Sequence, residues 1–266
     1  MAKPTKIGGV GADSTLRDAA PRILRARLAD VRRYEDDLAE ALAGDPVHDM
    51  RVACRRLATA LRFFDEVKLA RPVKSLQDAL GALRELHVQI DWLGDSPAAV
   101  ERQSLVPARE EAVREALVLW KPAADHLAAA ALFSGGRGRR LGDKQSRKEV
   151  LRRLRSVARG LSALGDPPDA QAAHAVRIRS KKLRYLGELL EPAFPRAAPA
   201  LLERLVSLQE TLGDLHDADV HLELFAGQAE LAARALEERG RHAQRVLELR
   251  RVWLDEDVEA TLTSHF

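Results

Sequence analysis

The 266 residues include 43 Lys+Arg against 40 Asp+Glu, a net charge of +3, and are 46% hydrophobic but only 4% aromatic. Ala, Leu, Arg and Glu dominate; these are helix formers, and the β-branched and aromatic runs that strands need are scarce. One cysteine, Cys54, excludes an internal disulfide. The N-terminus has no signal-peptide run, and no stretch of about 18 apolar residues could span a bilayer, so an all-α cytoplasmic protein is expected.

In chain order, residues 1–13 read as a flexible, glycine-bearing leader, and Asp13-Ser14 as an N-cap pair. A first helix then runs to about Ala43, where Gly44 can end it. Asp45 can cap a second helix, with Pro46 in its first turn, where a missing N–H costs nothing. A third helix is expected near 72–94, and Ser96-Pro97 opens a fourth that Pro107 and Pro122 should bend or break. Residues 134–145, rich in Gly and Arg, read as a linker between a first repeat, 14–133, and a second, 146–266. The second repeat follows the same plan, with helices near 146–164, 170–191, 199–226 and 228–263, the last open to interruption at Gly240. Four amphipathic helices with short loops predict a four-helix bundle in each half.

The halves are related by sequence. Segment 47–65, VHDMRVACRRLATALRFFD, aligns with 173–191, AHAVRIRSKKLRYLGELLE, at an offset of 126 residues. His48 meets His174, Arg51 meets Arg177, and Arg55-Arg56 falls on Lys181-Lys182. Segment 76–90, LQDALGALRELHVQI, aligns with 208–222, LQETLGDLHDADVHL, at an offset of 132. Trp120 pairs with Trp253 and Phe133 with Phe266 at an offset of 133. Three ordered blocks with a slowly growing offset indicate duplication of about half the chain.

The second helix of each half separates core from candidate site. With His48 at zero on a wheel of about 100° per residue, Met50, Ala53, Cys54, Leu57, Ala60, Leu61 and Phe64 form one apolar face. Arg51, Arg55 and Arg62 lie beside His48, opposite that face. In the second half His174, Arg177, Lys181 and Arg184 form the equivalent stripe, opposite Val176, Leu183, Leu186 and Leu190. Arg56 and Lys182 occupy the flank. Val52, Phe63, Ile178 and Leu189 stand near the stripes, so these faces are expected to line a cavity or groove rather than a fully solvated surface. The charge distribution agrees: from Gly136 to Leu190 there are 15 basic and 5 acidic residues, a local +10, while the rest of the chain carries −7. Such a field attracts polyanions.

His-x-x-Arg-Val/Ile followed by a basic pair, present twice and each time with a downstream Leu-Gly-x-Leu segment, resembles both halves of the CHAD family, the conserved histidine α-helical domain. The resemblance covers roughly residues 15–266. It implies two tandem pseudo-symmetric four-helix bundles around a basic central cavity or groove that binds inorganic polyphosphate without catalysis. On that basis the expected ligand residues are His48, Arg51, Arg55, Arg56, Arg62, His174, Arg177, Lys181, Lys182 and Arg184, with Arg25, Arg32, Arg153 and Arg155 from the first helix of each half as further candidates. No catalytic residue, cofactor or metal is expected. Polyphosphate granules and polyphosphate-metabolising enzymes are the implied associates, in the cytoplasm.

The two histidines have two readings. They can donate hydrogen bonds to phosphate, or they can fasten the second helix to an acidic neighbour. Three other functions compete with polyphosphate binding. Nucleic acid would also bind basic helices, although stacking aromatics and known DNA-reading motifs are missing. A scaffold for acidic proteins is another reading. The His48-Asp49 and His216-Asp217 pairs, with Asp219 and His221, raise a metal-dependent phosphohydrolase, which needs a closed ligand set that the spacing does not display.

Overall fold

The computed structural model describes residues 3–42, 44–129 and 138–266, and among them it contains no β-strand. These residues fall into two compact units, 1–141 and 142–266. Ala43, Phe133 and linker residues 134–137, all used in the sequence reading, lie outside the described set.

The first unit contains α1 (Leu16–Arg32), α2 (Glu35–Glu40), α3 (Gly44–Phe63), α4 (Ala70–Leu93), α5 (Pro97–Gln103) and α6 (Val106–Ala129). Helix α1 packs on α3, α3 on α4, α4 on α6, and α6 returns to α1. Met50, Ala53, Cys54, Leu57, Ala60, Leu61 and Phe64 are all buried, as the wheel predicts, and meet Ile23, Leu76, Leu80 and Trp120 in the core. The Trp120 indole is fully buried, and its Nε1 donates to Glu35 Oε1 at 2.7 Å.

The second unit contains α7 (Lys144–Ser162), α8 (Ala170–Leu190), α9 (Ala197–Leu224), α10 (Ala229–Asp255) and α11 (Val258–His265). Here too each long helix packs on the next, and α10 touches α7. Val176, Leu183, Leu186 and Leu190 of α8 are buried with Leu154, Leu208, Leu212 and Trp253. Gly160 sets the approach of α7 to α8: a Cβ there would lie 2.9 Å from both Val176 Cγ2 and Arg179 Nη1. Only a residue without a side chain fits that approach.

Several boundaries differ from the sequence reading. The first helix stops at Arg32, because buried Tyr34 and Leu38 turn the next segment inward as the separate α2. Its N-cap is Thr15, which accepts from the Asp18 amide, rather than Asp13-Ser14. The fourth helix breaks at Ser104-Leu105, before Pro107, while Pro122 lies inside α6 without ending it. Gly240 sits within α10, and the break falls instead at Asp257. That residue takes a left-handed φ of 41°, and its carboxylate caps α11.

The leader is also not the free arm expected. Asp30 and Arg27 are buried in α1, paired at 2.6 Å, and need further partners. Thr5 supplies them: its N–H donates to both Asp30 oxygens at 3.2 Å, its hydroxyl donates to Oδ1, and its carbonyl accepts from Arg27. At the other end of the unit, the Leu16 amide donates to Arg139 O and the Leu141 amide to Ser14 O, both at 2.9 Å. Linker residues 139–141 are thereby part of the first unit, and those from 142 on belong to the second.

Candidate functional site

In the second unit the site is built on α8 and α9. Asp169 caps α8 by accepting from the Ala172 amide at 2.8 Å. With the apolar face of α8 buried, His174, Arg177 and Lys181 remain half-buried. The neighbour of His174 is a second imidazole: its Nδ1 lies 3.2 Å from Nδ1 of His216 on α9, with ring centroids 4.5 Å apart. Only one of those nitrogens can carry the shared hydrogen, so the pair is a donor and an acceptor. Burial, then the charges of Arg177, His174 and Lys181, push the His216 pKa down to about 4. Burial, reinforced by the positive charge gathered on this face, therefore holds His216 neutral well below neutral pH.

The other second-unit candidates divide. Arg184 is 8% exposed; its Nε donates to Glu188 at 3.0 Å and its Nη1 to Gln209 Oε1 at 3.1 Å. It ties α8 to α9 inside the unit, instead of standing on an open stripe. Lys182 is exposed. Arg153 donates to Glu149 at 2.7 Å and to the Lys182 carbonyl at 3.3 Å, fastening α7 to α8. Arg155 is exposed, 3.7 Å from Glu259. Of the apolar neighbours of the stripe, Leu189 is buried, but Ile178 is open to solvent.

The first unit repeats the arrangement with different residues. His48, Arg51 and Arg55 on α3 are half-buried, Arg56 is buried at 5% exposure, and Arg62 is exposed. Arg51 lies over Gly81 of α4, its Nε 3.5 Å from where a Cβ would stand. Burial chiefly lowers the His48 pKa; Asp49 opposes this, while Arg84 and Arg51 add to it. Burial and Arg84 likewise lower that of His87. Arg25 is exposed on α1, and Arg32 is paired with Asp125.

Sequence reasoning missed Arg84, although the register contained it. The offset of 132 that aligns Leu80-Gly81 with Leu212-Gly213 also places Arg84 on His216. The same position faces the stripe in both units, as a guanidinium in one and an imidazole in the other.

The metal-site residues do not come together. His216 belongs to the imidazole pair, and Asp219 accepts from Arg239 at 2.7 Å, its carboxyl nevertheless raised by burial. His221 is buried, which pushes its pKa down to about 4. Among the described residues no group of three or more His, Cys, Asp or Glu could hold a metal ion. Burial also pushes the Cys54 thiol far up, leaving no reactive thiolate. No described helix is long and apolar enough to cross a membrane.

Comparison with known proteins follows the same lines. A family profile described as CHAD domain matches residues 22–226. A crystal structure of the CHAD domain from the plant Ricinus communis is similar over 100% of this chain and 98% of that chain, with a TM-score of 0.69 and 25% identity. A search of curated protein sequences gives no match. With the family profile covering most of its length and a solved relative of the same fold, the chain belongs to the CHAD domain family.

Proposed function

We propose that this protein binds inorganic polyphosphate, without chemical turnover, on the basic faces of α3 and α8. Polyphosphate binding is a known role of the CHAD family. The observation that carries the reading to particular residues is the gathering of four groups on one face: His174 and His216, Nδ1 to Nδ1 at 3.2 Å, beside Arg177 and Lys181, whose charges add to burial in lowering the His216 pKa. Arginine can donate two parallel hydrogen bonds to a phosphate, and lysine adds a mobile point charge. Repeated cations suit a ligand that repeats one anionic group and carries no other information. Arg51, Arg55, Arg177 and Lys181 are the principal contacts in this proposal, with His48, His174, Arg62 and Lys182 beside them. Arg56 and Arg184, both buried, support the helices that present the stripe. Arg25, Arg32, Arg153 and Arg155 are peripheral contacts at most. Residence in the cytoplasm with polyphosphate granules or polyphosphate-metabolising enzymes is the cellular form of the same proposal.

The test is competition among long-chain polyphosphate, tripolyphosphate, duplex DNA and RNA at matched charge, together with joint replacement of Arg51, Arg55, Arg177 and Lys181 by Ala. The variant should keep its helical circular dichroism and lose at least about two orders of magnitude in polyphosphate affinity, since each lost phosphate contact weakens a salt-sensitive, counterion-driven association. Unchanged affinity would move the site elsewhere. Equal competition by duplex DNA would replace polyphosphate with polyanions in general.

A further inference from the structure

Helix α7 carries more positive charge than its fold requires. Its 19 residues include seven Lys or Arg and a single acid, Glu149. Five of the cations, Lys144, Lys148, Arg152, Arg155 and Arg159, are spaced by four, four, three and four residues. On a helical wheel they fall within about 80°, and along the axis they run for about 22 Å. All five are exposed. Arg152 is held by Glu149, through Nε at 2.9 Å and Nη2 at 2.8 Å, and Arg155 has the distant Glu259. The side chains of Lys144, Lys148 and Arg159 make no hydrogen bond or ion pair with any described residue.

This is not how the chain builds its other solvated helices. Helix α10 has six basic and five acidic residues, including Arg234–Glu238 and Arg241–Glu237 pairs. On α1, exposed Arg22 and Arg33 are occupied by the leader, at Gly9 O and Thr5 Oγ1. On α7, like charges adjoin at i,i+3 and i,i+4, which disfavours the helix. Lys144 is the first helical residue after the Asp143 cap, and Arg147 and Lys148 follow it, with no acid in the first turn. Cations at that end oppose the helix dipole. The arrangement departs from local stability along the whole ridge, and a bound polyanion would relieve it.

We propose that the outer ridge of α7 is a second track for long-chain inorganic polyphosphate, used in addition to the α8 face; this rests on the polyphosphate reading above. The ridge reads charge and nothing else. No large apolar side chain is exposed on α7, so it has nothing to insert into a lipid surface. It has no aromatic residue on which a nucleobase could stack. A uniform anionic chain is the ligand that such a row fits.

The experiment replaces Lys144, Lys148 and Arg159 by Gln together, in the full chain, leaving Arg155 and the Arg152–Glu149 pair intact. Tripolyphosphate is too short to span the ridge, and its affinity should stay within about twofold of the parent. Long-chain polyphosphate should bind about tenfold or more weakly, and its plot of log affinity against log salt should flatten by about 2.4, three cations each contributing ~0.7–0.9. The melting temperature should hold or rise, because repulsion is removed; a merely structural ridge would lower it. An unchanged salt slope for the long chain overturns the proposal, and so does equal weakening of both ligands. Loss of RNA binding with polyphosphate untouched also overturns it, by assigning the ridge to nucleic acid. If the parent protein binds no polyphosphate at all, the function proposed for α3 and α8 falls first and this track falls with it.

Discussion

The His174–His216 pair makes the pH dependence of binding calculable. In the free protein His216 is displaced from the ordinary 6.5 to about 4, by burial first and then by Arg177, His174 and Lys181. A polyanion laid against Arg177 and Lys181 cancels both of those charges and adds negative potential of its own. If the added negative potential also offsets the burial penalty and restores the pKa to 6.5, the complex at pH 5.5 is mostly protonated while the free protein is not, and affinity rises about tenfold between pH 8 and pH 5.5. At pH 6 binding should take up about three-quarters of a proton at this pair. Calorimetric titration in two buffers of different ionisation enthalpy measures that uptake directly. His216→Gln keeps a hydrogen-bonding group opposite His174 and should remove this increment, leaving the smaller contribution of His48 beside Arg51 and Arg84. The charges that act on His216, those of His174, Arg177 and Lys181, come from α8, while α10 directs Arg239 to Asp219 and His242 toward Asp214. Affinity independent of pH over this range, or equal proton uptake by the variant, would refute the reasoning.

The same groups give the opposite sign for stability without ligand. His216 and His221 both titrate near 4 when folded and near 6.5 when unfolded. Between those values the unfolded chain binds more protons, so stability is full above about pH 6.5 and falls as the pH drops toward 4. Polyphosphate should offset the His216 share of that loss and leave the His221 share, because His221 is buried near Glu238 and Arg234, away from the stripe cations.

Two stability predictions test the helix packing. Gly160→Ala should destabilise the protein by about 1 kcal/mol in urea unfolding, since overpacking against Val176 costs about 1–3 kcal/mol and outweighs about 1 kcal/mol of gained helix propensity; a raised midpoint would show that α7 and α8 are less tightly apposed. Trp120→Phe should cost about 2 kcal/mol by removing the Nε1–Glu35 hydrogen bond and leaving a small void. A loss below about 0.5 kcal/mol would mean that the bond contributes nothing net.

Much of the fold was readable because it depends on local rules. Helix periodicity placed the apolar faces of α3 and α8: every residue assigned to them is buried. What failed depended on partners distant in sequence. Nothing local marks the break after Arg32; it comes from Tyr34 and Leu38 turning toward the core. Arg27 and Asp30 look like a surface i,i+3 pair, and only the docked Thr5 explains their burial. Pro122 does not end α6: a proline can remain within a helix where its neighbours satisfy or expose the freed carbonyl. Arg184 shows the same limitation inside the candidate site. The wheel places it on the stripe, yet Gln209, 25 residues later, draws its guanidinium into the interior.

The duplicated halves use one geometry with different chemistry. Each sets a half-buried histidine on one helix against a basic or titratable residue on the next, but the second position is Arg84 in one unit and His216 in the other. A guanidinium holds its charge at every physiological pH, whereas an imidazole in a cationic field holds a charge only when an anion arrives. Two copies of the same stripe would therefore respond differently: the α3 face with nearly constant charge, the α8 face with a charge that its ligand induces. Duplication supplied the matched faces. One substitution on the facing helix is enough to make one of them sensitive to protons.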